Sequence, residues 1–220
     1  MQFSLKRITS LAAALIICCA SAAVSMGQQT TMPAPAPRTL GAIKYDGDMA
    51  ALLANLAQTF QVPIGLEVDP RQPKSRVKFE LREATLADVL NAIVKAEPRY
   101  QWRECDGGVE VLPVEGGSPL LETIISSFQL GEADEIEAIN QLLNSPEVQV
   151  SLRALNLSHS DSVRAPAGRN GKKFSVSLEG VTMRQALHRI VTEGGGLFWV
   201  SRTAVERDGG GLVSINDRLR

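Results

Sequence analysis

With 220 residues, 44% of them hydrophobic and 21% charged, the chain can bury one sizeable core or two small ones and is not composed like a disordered segment. Its formal charge of −1, from 23 basic and 24 acidic residues with no long basic stretch, carries no electrostatic footprint for nucleic acid. At the start, Lys6 and Arg7 precede an apolar run from Leu11 to Ala20, shorter than the roughly 20 residues that span a bilayer. Small residues follow, with an A-x-A pattern at Ala20-Ser21-Ala22. Residues 1–22 therefore read as a secretory signal peptide cut between 22 and 27, and the mature chain as periplasmic or secreted, with no transmembrane segment. Ile17 before Cys18 argues against lipidation at Cys18 or Cys19. Cleavage leaves a net charge near −3 and Cys105 as the one thiol, so no intramolecular disulfide forms and packing must supply stability. Cys105 reads as a structural thiol, beside a tight turn and far in sequence from either histidine.

Residues 23–38 include an alternating Pro/Ala stretch that favours an extended tether. Thr39 to Tyr45 is expected to be a short strand. Asp46 or Asp48 can cap the helix that follows, in which Met49, Leu52, Leu53, Leu56 and Phe60 fall on one face. Pro63 to Val68 and Arg76 to Leu81 alternate apolar and polar residues around a Pro-rich turn and predict two strands. Thr85 caps a second helix, whose stripe is Leu86, Val89, Leu90, Ile93 and Val94, and Pro98 ends it. An Asp106-Gly107-Gly108 turn then joins two hairpin strands, with Tyr100 and Trp102 on one face of the first and Cys105, Gln101 and Arg103 on the other.

The phrase from Leu81 to Val94 returns from Leu178 to Val191, so Thr85 aligns with Thr182 and Leu90 with Leu187. A second copy of the module is therefore expected after Glu115. Its strand is Thr123 to Leu130, its first helix 133–143, its strand pair Val148 to Leu155 and Lys173 to Leu178. Thr182 with Gln185 forms a capping box for the second helix, which Gly194 to Gly196 ends; strands around Trp199 and after a turn at Asp208 to Gly211 complete it. The expected fold class is α+β, in two tandem βαββαββ modules at 39–115 and 116–220, each with two helices on small mixed sheets.

The stretch from Ile43 to Pro113, with its helix flowing into "VPIGLEVDP", the strand before "ATLADVLNAIV" and the aromatic strand that turns back into "VEVL", resembles the short N-terminal domain of secretins and TonB-dependent receptors. The second half resembles it more loosely, because its middle loop is longer. The resemblance implies a non-enzymatic signalling and docking module whose partner is another periplasmic or envelope protein. No outer-membrane barrel or secretin channel is expected after these modules, so free modules are expected. Small sheets leave edges, so strand addition is the expected mode of binding, with Val109 to Leu112 as a candidate edge.

No catalytic, cofactor-binding or metal-binding residue is assigned. The Ser158-His159-Ser160-Asp161 run tempts a hydrolase reading, but neighbouring residues of one strand or loop point apart and do not converge as a triad must. His188 lies outside its helix's apolar stripe and is expected to face solvent. Two histidines and one mature cysteine make a zinc site improbable, and the glycine runs do not open a helix as a phosphate-binding loop does. The alternative function is binding of a small molecule or glycan, or a cryptic hydrolase, centred on the loop at 156–172, expected to be unstructured.

Overall fold

The protein alternates helices and strands as the periodicities require. In the computed structural model, which describes residues 39–105, 107–159, 172–205 and 210–216, the first half runs β1 (Ile43–Asp48), α1 (Met49–Phe60), β2 (Ile64–Glu67), β3 (Arg76–Leu81), α2 (Leu86–Ala96), β4 (Tyr100–Cys105) and β5 (Gly108–Pro113). After a short 3-10 turn at Pro119–Glu122 come β6 (Ile124–Ala133), α3 (Glu135–Leu143), α4 (Pro146–Ala154), β7 (Leu157–His159), β8 (Phe174–Thr182), α5 (Met183–Gly194), β9 (Phe198–Val205) and β10 (Gly211–Asn216). The class is α+β. The segments expected to be a signal peptide and a tether, Asp106, the part of the long loop at 160–171, the turn at 206–209 and residues 217–220 lie outside the described residues.

Local chemistry sets the helix starts. Asp48 caps α1, its carboxylate accepting from Ala51 N–H, and Thr85 and Thr182 each sit in a capping box, with Asp88 and Gln185 as the returning partners. Leu90 and Leu187, at equal offsets from those caps, are both buried. Gly195 ends α5 in the left-handed region, with φ 80°, a conformation a glycine adopts without Cβ strain.

One expected element is wrong. Val148 to Leu155 alternates apolar and polar residues, yet it lies mostly in the helix α4: Pro146 occupies the helix's first turn, Val148 and Leu152 are buried four residues apart, and Val150 between them is 57% exposed. The strand expected there is supplied by Leu157–His159, so the loop is not unstructured from Asn156 onward. Its Leu157 pairs with Gly211, where a side chain would stand 2.5 Å from the leucine Cδ2.

Six strands form one mixed sheet in the order β4-β5-β2-β9-β10-β7, and two antiparallel ribbons, β1 with β3 and β6 with β8, flank it. Within the large sheet both halves pair alike: β4 runs antiparallel to β5 and β5 parallel to β2, as β9 runs antiparallel to β10 and β10 parallel to β7. The halves meet where β2 lies parallel to β9, Ile64 opposite Phe198 and Leu66 opposite Val200. Strand alternation then serves two cores. Ile64, Leu66, Val109, Val111, Phe198 and Val200 point into a core with α1 and α2, while Trp199, Val213 and Ile215 point into the core of α3, α4 and α5. Gly65, opposite Trp199, leaves room for the fully buried indole: a Cβ at this glycine would lie 2.4 Å from the ring.

Candidate functional site

The hairpin β4–β5 has an apolar face on the first core and a polar face opposite. Tyr100, Val109 and Val111 are buried on the former, and the half-buried Trp102 is held by its Nε1 donating to Asn91 Oδ1 at 3.0 Å. The polar face carries Arg103, Cys105, Gly108 and Glu110, as the alternation of the hairpin predicts. Glu110 is 2% exposed and accepts from Arg103 Nε at 2.9 Å and Nη2 at 2.8 Å, which compensates its desolvation.

Helix α5 covers this face. Its apolar stripe enters the second core, but Arg184 and His188, one turn apart, fall on a side that the first half of the chain buries, each 3% exposed. The expectation that His188 faces solvent is therefore corrected: the helix packs on two sides, and the second covering comes from residues remote in sequence. The imidazole lies over Gly108, where a Cβ would come within 2.4 Å of Cε1. Cys105 Sγ stands 3.7 Å from Nδ1 and 3.8 Å from Nε2 of the same ring. This pairing was hidden by sequence distance; its one sequence signal is the small Gly108 beside a turn and opposite Cys105.

Arg184 joins the halves electrostatically. Its Nη2 donates to Glu67 Oε2 at 2.6 Å and lies 2.9 Å from Glu122 Oε1, to which Nε also donates, and Glu67 Oε1 accepts the Ser118 N–H. Burial alone would lower the guanidinium pKa, but the hydrogen bond and charge of Glu67, with Glu110 and Glu122 adding, raise it above its ordinary value. The arginine therefore stays charged inside the protein.

Between the hairpin and α5 opens a cavity of about 410 Å³. Arg103, Glu104, Cys105 and Glu110 line it from the hairpin, Glu122 from the 3-10 turn, and Thr182, Gln185, His188 and Arg189 from the start and side of α5. It is a charged cleft with a thiol and an imidazole at its wall. Beside it runs the outer edge of the sheet. Val114 N–H donates to Arg99 C=O, so the alternation of an antiparallel ladder points Gln101, Arg103 and Cys105 toward β5 and turns the N–H and C=O groups of Trp102 and Glu104 outward. The edge expected at Val109 to Leu112 is thus misplaced: β5 lies between β4 and β2, and among the described residues β4 is outermost.

Of the residues that tempted a hydrolase reading, two are described. Ser158 and His159 lie on β7 at the opposite end of the sheet, with Ser158 Oγ donating to Gly211 C=O at 3.4 Å, and Ser160 and Asp161 lie outside the described residues. Among the described residues no group of three or more His, Cys, Asp or Glu side chains is placed to hold a metal ion, and no helix is long and apolar enough to cross a membrane. No family model, curated protein or solved structure matches the chain.

Proposed function

We propose that the mature chain is a non-enzymatic docking module of the bacterial cell envelope, exported by its signal peptide, which binds an extended segment of another envelope protein along the outer edge of β4. The observation that supports this reading is the edge itself: Trp102 and Glu104 offer outward backbone donors and acceptors beside a half-buried aromatic side chain, and among the described residues no strand lies beyond β4. An added strand gains main-chain hydrogen bonds there, and alternate side chains meet Trp102 on one face and the charged cleft on the other. The likeness of Ile43 to Pro113 to the N-terminal domains of secretins and TonB-dependent receptors leads to the same class of partner.

A photocrosslinking residue at Gln101 tests the proposal in the periplasm of the source cell. It is expected to capture one specific protein, and Glu104→Pro, which removes an outward N–H, is expected to abolish the capture while leaving the chain folded. Undiminished capture by the folded proline variant would move the docking surface elsewhere. Turnover of an ester, peptide or glycan by the purified chain would replace docking with catalysis.

A further inference from the structure

The cleft beside β4 has a chemistry that docking does not use. We propose that Cys105 is a thiol modification site, at which a small zwitterionic disulfide of the oxidised-glutathione class enters the cleft and leaves one half attached as a mixed disulfide.

Three observations carry this. Cys105 is partly exposed and lines a cavity of about 410 Å³, within the range that holds small ligands. His188, 3% exposed and seated on Gly108, keeps both ring nitrogens within 3.8 Å of Sγ, so an imidazole is fixed where it can take the thiol proton. The remaining lining charges are of both signs. Arg103 and Arg189 suit the carboxylates of such a reagent and Glu122 suits an ammonium group, while an apolar ligand would leave these groups desolvated.

The step balances without another oxidant. His188 accepts the Sγ proton, the thiolate attacks one sulfur of the disulfide, the Sγ–S bond forms as the reagent's S–S bond breaks, and the departing thiolate leaves with the electron pair and recovers the proton from the imidazolium. Cys105 is oxidised to the mixed disulfide and one half of the reagent is reduced to a thiol.

The rate is set by the charges around the pair: Arg103 on β4, Glu110 on β5, Glu122 in the 3-10 turn and Arg189 on α5, with Glu104 at the cavity's rim and Arg184 one turn from His188 on α5. The test is the rate at which the full chain gains a single adduct from oxidised glutathione, followed by intact mass between pH 6 and 9. An ordinary thiol, with its pKa near 8.5, loses roughly a hundredfold in rate from pH 8 to pH 6. The folded chain is expected to lose less than about tenfold and at pH 6 to outpace the same chain unfolded in urea. Cys105→Ser should give no adduct. His188→Gln should slow the reaction at pH 6 by ~10-fold or more and leave the rate at pH 9 within ~3-fold of the parent. Ordinary-thiol pH dependence in the folded parent overturns the proposal whether or not the His188 variant folds. A faster reaction with uncharged hydroxyethyl disulfide than with oxidised glutathione overturns the assignment of a zwitterionic reagent.

Discussion

Replacing Gly65 by alanine tests the joint between the two halves of the sheet. The added Cβ would lie 2.4 Å from Trp199 Cε2 and Cζ2 and 2.7 Å from Nε1, where relaxed carbon contacts need roughly 3.5–4.0 Å, so the indole must move by more than ~1 Å. It has nowhere easy to go, because Trp199 is fully buried and its Nε1, without a hydrogen-bond partner among the described residues, is held by packing alone. Overpacking of this kind costs ~1–3 kcal/mol, against the ~0.5–1 kcal/mol that alanine ordinarily gains over glycine inside a strand. A net loss of ~1–2 kcal/mol is expected, a fall in Tm of roughly 2–8 °C for a chain of this size, read by urea and thermal unfolding followed through tryptophan fluorescence and circular dichroism. In a Trp199→Leu background, itself destabilised by a cavity, the same alanine should cost less than ~0.5 kcal/mol. Parental stability for Gly65→Ala, or strict additivity of the two changes, would refute the register that puts Gly65 beside Trp199.

Arg184→Met leaves Glu67 buried without its cation and is expected to cost ~3–5 kcal/mol, whereas Glu67→Met with Arg184→Met should restore most of that loss in the same unfolding assay. Asp69 accepts from Arg71 Nε and Nη2 at 3.0 and 3.1 Å; the Arg71 hydrogen bond, opposed by burial and joined by the Arg71 backbone N–H, holds its carboxyl below the usual range. The stability it contributes is present above the ordinary aspartate value near pH 4 and is lost as pH falls through its lower folded value, so Asp69→Asn should flatten the acid limb of stability against pH. Gln61 ends α1 at φ 56°, and Gln61→Gly should raise stability by ~0.5–1 kcal/mol in urea titration. Val111→Pro removes a donor that β5 turns toward β2 and should cost at least ~1–3 kcal/mol by the same measurement, while Glu104→Pro at the edge costs far less.

Much of the fold was legible because its determinants are local. The stripe of Leu86, Val89, Leu90 and Ile93, the caps at Thr85 and Thr182 and the turn before Gly108 act within a few residues of themselves, and the elements stand where those signals put them. Val148, Val150 and Leu152 misled because two apolar periods overlap over so short a run, and the packing of Val148 and Leu152 decides for the helix. The site was not legible. His188 is buried by β5, and Cys105 acquires a neighbour 83 residues away, so neither environment follows from its own segment. The edge was misassigned for the same reason: that β5 is interior depends on β2 choosing it as a neighbour, a pairing between distant segments.

The parallel pairing of β2 with β9 also governs the order in which the protein can be completed. Ile64 meets Phe198 only after nearly all of the chain has emerged, and loop closure over such a span is slow compared with the local pairing of either hairpin. Until then β2 has one side open and the core of α1 and α2 lacks Phe198 and Val200, so the strand presents unpaired backbone groups to any neighbouring chain. A chain that folds while it is still being synthesised passes through this state each time it is made. A chain shortened to end before Leu197 is held there and is expected to self-associate, with β2 as the sticky edge that β9 normally covers.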